Sequence, residues 1–266
     1  MRLIITRPAE DCVKLAAVLQ AGGHEVIAAP LIEIVARTGV ELAGGPFQAV
    51  ALSSANAARV LMQRDPAIDN GGEASGLPLS AAERRGRPEA SPPSPNRLLI
   101  QLDLLHLPAF TPGAQSAAAA RAAGFAHVTA CGGDIAAVAR TMIASLDPKG
   151  GPVLYLSGAE IAGDLTGLLT EAGFTVQRSI LYDTRLATAL PEPVLSAIRA
   201  GAADGVLLYS PRTAGVWRDL AGKATLAQLT HYCLSAKVAA ALDPGWPCVI
   251  AAEPTEAALI ASLRPA

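Results

Sequence analysis

The chain has 266 residues, of which 51% are hydrophobic, only 4% aromatic and 17% charged. That length excludes a disulfide mini-protein and leaves room for one large core or two modest ones. With 21 Lys and Arg against 23 Asp and Glu the net charge is −2, so there is no global basic field for sequence-independent nucleic-acid binding. Any anionic ligand must be held by local donors.

The apolar mass is mostly Ala, Leu, Val and Ile, which suits close packing of helices on sheets. Cys12, Cys131, Cys233 and Cys248 form no C-x-x-C pair, and none stands near a His at metal-ligand spacing. A compact oxidised framework is therefore not expected. The opening apolar run is too short for a signal-peptide core, and no stretch of about 18 uncharged apolar residues occurs. These features predict a soluble cytoplasmic protein.

In chain order, Leu3–Thr6 reads as a buried strand. Pro8 suits a first helical turn, and Cys12, Leu15, Ala16 and Leu19 fall on one helix face. Gly22 and Gly23 end that helix, and Glu25–Ala28 is the next strand. The unit recurs. Ala49–Leu52 leads into Ser53, Ser54 and a helix to Met62. Ala109–Thr111 leads into Gly113–Ser116 and a helix ending at Gly124. His127–Ala130 precedes a helix to Leu146. Val153–Leu156 runs into Ser157, Gly158 and a helix ending at Gly173. Gly205–Tyr209 leads into Ser210, Pro211, Arg212 and a helix. Tyr232–Leu234 leads into Ser235, Ala236, Lys237 and a helix to Leu242. Cys248–Ala251 precedes a last helix to Leu263. Strands alternating with helices predict parallel sheets with right-handed crossovers.

Gly151–Val176 mirrors Leu3–Val26 in the order of its units, and Ser53–Leu61 mirrors Ser210–Leu220. The mirrored order predicts an α/β fold of two similar parallel-sheet, three-layer domains. The first is discontinuous, 1–33 and 184–266; the second is 36–178. Pro30–Val35 and Ser179–Thr184 are the predicted crossings, both β-prone, and together they give a two-stranded connector. One stretch breaks the rhythm. Gly71–Asn96 carries four Gly, five Pro and four Ser, which reads as a low-complexity insertion, at about 64–106 overall. Leu98–Leu107 is apolar enough for a short helix.

In parallel α/β sheets, ligands bind beyond the carboxyl ends of the strands, where following helices present free N–H groups. Small or hydroxyl residues stand at most of those points: Thr6, Ser53, Ser54, Gly113, Ser116, Ser157, Gly158, Ser210 and Ser235. Arg7, Arg212 and Lys237 add cations at three of them. Ordinary helix capping also favours these residue types, so a cleft for an extended anion and plain capping both account for the pattern. There is no G-x-S-x-G elbow, P-loop or G-x-G-x-x-G. Glu33 and Asp183 read as solvated charges in the crossings, and Cys131 and Cys233 as core fillers. Tyr182, in a crossing, either packs against the hinge or turns its hydroxyl to a cleft.

At these positions the chain resembles the uroporphyrinogen-III synthase family. The similar segments are Ile5–Pro8 with Leu19, Gly23, Val26 and Pro30–Glu33; Ser53–Ala57; Gly113–Ala117 with Ala123–Phe125; Leu181–Thr184; and Tyr209–Pro211. They cover nearly the whole chain outside 64–106, in the family's order. The resemblance implies two α/β domains with the substrate between them, no metal or organic cofactor, and a monomer. It implies closure of the linear tetrapyrrole hydroxymethylbilane to uroporphyrinogen III, with loss of water and inversion of the last ring through a spiro intermediate. The substrate carries eight carboxylates, which suits helix N-termini better than a basic surface. Tyr182 matches the family's tyrosine near the leaving hydroxyl. Ser53, Ser54, Ser116, Ser157, Gly158, Ser210 and Arg212 carry over as carboxylate binders, and Arg7, Gly113 and Lys237 from the strand-end reading complete the expected substrate-binding set. The pattern departs at Ser235 and Val238, where the family has glycine and threonine, and in the long segment after Met62. A divergent member, or a hinged binding module without chemistry, is the alternative expectation. No nucleic-acid or membrane partner is expected.

Overall fold

A computed structural model describes residues 1–38, 40, 45–62, 104–222 and 229–263. The elements follow the predicted alternation: β1 (Arg2–Ile5), α1 (Ala9–Ala21), β2 (Glu25–Ala28), β3 (Ile32–Ala36), β4 (Ala49–Leu52), α2 (Ala55–Met62), β5 (Pro108–Thr111), α3 (Ala114–Ala122), β6 (His127–Ala130), α4 (Ile135–Ser145), β7 (Val153–Gly158), α5 (Leu165–Glu171), β8 (Val176–Leu186), α6 (Glu192–Arg199), β9 (Gly205–Leu208), α7 (Pro211–Ala221), β10 (Thr230–Cys233), α8 (Ala236–Ala239), β11 (Cys248–Ile250) and α9 (Glu256–Ala261). No helix among the described residues is long and apolar enough to cross a membrane.

The strands form two sheets, in the orders β11-β10-β9-β1-β2 and β3-β8-β7-β4-β5-β6. The pairs β1–β2, β1–β9, β9–β10 and β10–β11 are parallel, as are β4–β5, β4–β7, β5–β6 and β7–β8. Apart from β3, the edge strand of the second sheet, the sheets match: β1-β2 corresponds to β7-β8, and β9-β10-β11 to β4-β5-β6. The sequence echo between Leu3–Val26 and Gly151–Val176 is the trace of this match. Even the helix ends agree, since Gly23 and Gly173 both take positive φ, 80° and 86°, a conformation that glycine adopts without a Cβ clash.

The backbone divides into two compact units, Met1–Ile34 with Arg185–Ala266, and Val35–Thr184. Both crossings fall inside strands, in β3 and in β8. Residue numbers rise along β3 as they fall along β8. Arg185 pairs with Glu33 at 3.1 Å, and the Arg37 N–H donates to the Leu181 carbonyl at 2.8 Å. The two strands therefore run antiparallel.

In the first unit the sheet is covered on both faces. Val194, Ile198, Trp217, Val238 and Leu242 pack with Ile4, Val206 and Leu208, whereas Cys12, Leu15, Leu19 and Leu259 pack with Leu3, Ile5 and Leu207. In the second unit α4 and α5 bury Ile135, Val138, Met142, Leu165 and Leu169 against Ala49, Ala51, Val153 and Tyr155. The α2 and α3 helices pack on each other, with Ala57, Ala58, Ala117 and Ala120 fully buried. Alanine at these contacts lets the helix backbones approach closely, which is where the low aromatic content is used.

Two local expectations are corrected. Ser157 and Gly158 do not start a helix. They are the last two residues of β7, because β8 continues alongside and pairs Gly158 with Tyr182. The helix begins at α5, whose cap is Asp164, accepting from the Gly167 N–H at 2.9 Å. The β-prone crossing segment Ser179–Thr184 lies, as expected, within a strand, the 11-residue β8 beside β3. The α8 helix is a single turn, 4 residues long, rather than reaching Leu242. The α6 helix was not expected, although Pro191, Glu192 and the i, i+4 pair Val194 and Ile198 are its signature. Of the Leu98–Leu107 segment, only a 3₁₀ turn at Leu104–His106 lies within the described residues; the Gly71–Asn96 insertion lies outside them.

Candidate active site

In the second unit, a tyrosine and a serine meet at the carboxyl ends of the central strands. Residue pairing between β7 and β8 is regular from Val153 with Val176 to Ser157 with Ile180, then shifts so that Gly158 faces Tyr182. One β8 residue, Leu181, is thereby left over. This irregularity re-aims the side chains that follow it, and it brings Tyr182 onto the face that Gly158 occupies. The Tyr182 carbonyl accepts from the Ala159 N–H at 2.9 Å. The ring lies against Gly158 so closely that a Cβ there would stand 2.5 Å from it. Tyr182 is 6% exposed.

The phenol does not end in the core. Its hydroxyl is 3.0 Å from Ser54 Oγ. Ser54 follows β4, and the Ser53 N–H donates to the Leu156 carbonyl at 3.1 Å, so the end of β4 is locked to β7. Ser54 Oγ also accepts from the Ala57 N–H at 3.4 Å, a long bond in the first turn of α2. Two hydroxyls in series can pass a hydrogen bond along: serine donates to the tyrosine oxygen while the tyrosine proton points outward.

The remaining predicted residues of this unit fall into two groups. Gly113, extended before α3, has open space where a Cβ would stand. Ser116 is half-buried in the first turn of that helix. Ser157, by contrast, is wholly buried. Its hydroxyl donates to the Gly158 carbonyl at 3.0 Å and accepts from Arg178 Nε at 2.8 Å, so the side chain is used internally. Arg178 was missed in the sequence. The available signal was a lone basic residue on the Val176, Arg178, Ile180 face of a strand otherwise apolar on that side.

In the first unit Arg7 lies just beyond β1. Its guanidinium pairs with Asp11 at 2.9 Å and with Glu256 at 2.5 Å, and it lies 4.8 Å from the centroid of the Tyr209 ring. Burial by itself lowers the arginine pKa, but Asp11 and Glu256 outweigh it and hold the group above its ordinary value. Burial, aided by Glu256, likewise raises the Tyr209 phenol. Arg7 thus organises a local ion cluster. Ser210 forms a capping box at the start of α7, accepting from the Thr213 N–H at 3.1 Å while its own N–H donates to Thr213 Oγ1 at 3.2 Å. Arg212 is half-buried one residue into that helix, and Lys237 is exposed on α8. Cys12 and Cys233 are buried thiols, pushed up by burial to about 11 and about 12, which leaves them unreactive.

The HEM4 family model, uroporphyrinogen-III synthase HemD, matches residues 13–261. The chain belongs to the uroporphyrinogen-III synthase family. It is accordingly an enzyme of heme biosynthesis, closing hydroxymethylbilane to uroporphyrinogen III. Among solved structures it is similar to uroporphyrinogen-III synthetase from Helicobacter pylori, with 19% identity, a TM-score of 0.59, and coverage of 98% of this chain and 97% of that one. It is also similar to a mutant uroporphyrinogen III synthase from the extremely thermophilic bacterium Thermus thermophilus, at 14% identity, a TM-score of 0.48, and coverage of 98% and 95%. No curated protein matches. At 19% identity the likeness to the Helicobacter pylori protein concerns the α/β fold alone, and the activity rests on the family match.

Proposed function

We propose that this member of the uroporphyrinogen-III synthase family works as a hydro-lyase, with Tyr182 as the hydrogen-bond donor to the departing hydroxyl. The observation that carries the reading is the 3.0 Å bond between the Tyr182 hydroxyl and Ser54 Oγ at the strand ends. The C–O bond at the terminal methylene of ring A breaks, both electrons leave with oxygen, and a proton delivered along the tyrosine hydrogen bond completes the water. The electrophilic carbon left behind is stabilised by the pyrrole nitrogen. The substituted α-carbon of ring D attacks it, the resulting spiro intermediate fragments and recloses through the free α-carbon with that ring reversed, and the proton which that carbon loses replaces the one given to the water. Most of this reactivity is intrinsic to the pyrroles, so the protein chiefly holds geometry.

The carboxylates of the substrate are bound at helix starts, by Ser53, Ser54, Gly113 and Ser116 in one unit and by Ser210, Arg212 and Lys237 in the other, with Gly158 contributing from the end of β7 by its backbone. Lys237 compensates by its charge for the family's glycine and threonine, which Ser235 and Val238 replace. Arg7 and Ser157 support this set through the groups they bind. The protein acts as a cytoplasmic monomer, without metal or organic cofactor and without nucleic acid.

The test is direct. Purified protein given fresh hydroxymethylbilane is expected to shift the product from the type I to the type III isomer, read by chromatography. Product that remains type I alone overturns the reading and points to a binding module of the same fold.

A further inference from the structure

Arg178 stands on β8 opposite Tyr155 of β7. Its Nε donates to Ser157 Oγ at 2.8 Å, and one terminal nitrogen donates to the carbonyls of Gly158 at 2.7 Å and Ala159 at 2.9 Å. All three acceptors are neutral, and among the described residues no carboxylate pairs with this guanidinium. The bonds are charge-assisted and therefore about twice as strong as neutral ones. They converge on three consecutive residues, at the point where the β7–β8 pairing shifts.

Tyr182 grips the same segment. Its carbonyl takes the Ala159 N–H, and its ring rests on Gly158. In a parallel pair, register partners point to one face, so Arg178 reaches this segment from the Tyr155 and Ser157 side while the Tyr182 ring covers it at Gly158. There is no slack between ring and backbone at Gly158. A shift of that backbone moves the ring, and with it the hydroxyl that reaches Ser54.

We propose that Arg178 is a positioning residue for this reaction: its guanidinium fork fixes the Ser157–Ala159 segment and thereby holds the Tyr182 hydroxyl at Ser54. The inference rests on Tyr182 being the acting hydroxyl. Lysine cannot reproduce the fork, because a single ammonium cannot reach along all three acceptors from a planar array.

The experiment is a double-mutant cycle on the full chain with Y182F, R178M and both together, plus R178K, reading kcat, KM and the isomer ratio. R178M is expected to lower kcat by about tenfold to a hundredfold, the scale of a misplacement of about 1 Å, with KM nearly unchanged and R178K recovering part of the loss. In the Y182F background R178M is expected to cost little more, because residues acting as a unit are not additive. A loss as large in the Y182F background as in the wild type overturns the proposal, as does a rise in KM at unchanged kcat, which would make Arg178 a direct carboxylate ligand. A slow Y182F beside a fully active R178M defeats the proposal and leaves the tyrosine reading standing. A fully active Y182F defeats both. Should R178M fail to fold, R178K takes its place in the same cycle, with a smaller expected loss.

Discussion

Gly158 and the Tyr182 ring are in contact with no room between them: a Cβ at residue 158 would come 2.5 Å from one ring carbon and 2.6 Å from the next. Backbone conformation does not demand glycine here, since this residue is not among those with positive φ. Space does. Gly158→Ala should push the ring away and break the bond to Ser54. We expect a stability loss of about 1–3 kcal/mol, the usual cost of overpacking, together with a larger share of type I product. Thermal melts and product chromatography on the same sample measure the two effects.

Arg7 and Asp11 form another buried polar contact near strand ends. Their side chains are 15% and 8% exposed. Replacing Arg7 with Met would take this ion pair from the buried Asp11 carboxylate, and breaking a buried pair costs about 3–5 kcal/mol. Urea unfolding should therefore show a large fall in midpoint. An Arg7→Met protein as stable as wild type would mean that the cluster is solvated and that Arg7 is available to substrate.

Lys237 sits in the open on α8, at the place where the family pattern is broken. We expect Lys237→Met to raise KM several-fold, to leave kcat in place, and to do so less at high salt, because exposed charges are screened. Steady-state assays at two ionic strengths check this. An unchanged KM would remove Lys237 from the binding set.

His231 is fully buried, stacked on Trp246 at 4.9 Å and edge-on to Trp217 at 6.5 Å between ring centroids. Nδ1 lies 3.0 Å from the Pro247 carbonyl, so that nitrogen carries the proton. Burial pushes the imidazole pKa down, against a smaller upward pull from that carbonyl. The unfolded chain therefore binds the extra proton first as pH falls below about 6.5. Stability is fully present above that value and declines on acidification. His231→Phe keeps the aromatic stack and should flatten this decline. Urea midpoints at pH values of about 7.5 and about 5.5, on either side of the ordinary imidazole range, make the comparison. An equal fall in both proteins would rule His231 out as its source.

The alternation of strand and helix was legible in the sequence because each central strand here is buried on both faces and reads as a short continuous apolar run, Leu3–Ile5 or Val206–Leu208. The pairing of the first α/β unit with the last ones was legible too, through the order of repeated units. The parts that were missed have local physical causes. Ser157 and Gly158 carry helix-start chemistry, yet strand pairing with β8 overrides it. The α6 helix has a clear apolar stripe that no strand-end motif announces.

What the sequence determined by itself was the set of short polar residues at strand ends, the lack of cofactor motifs, and the place of Tyr182 in a β-prone segment. What only tertiary structure decided was which of them meet. Tyr182 and Ser54 lie 128 positions apart, and their contact goes with one leftover residue in β8 and with the missing side chain of Gly158. Sheet register sets such contacts, and a one-residue shift turns a side chain to the opposite face; composition and periodicity carry no record of that shift.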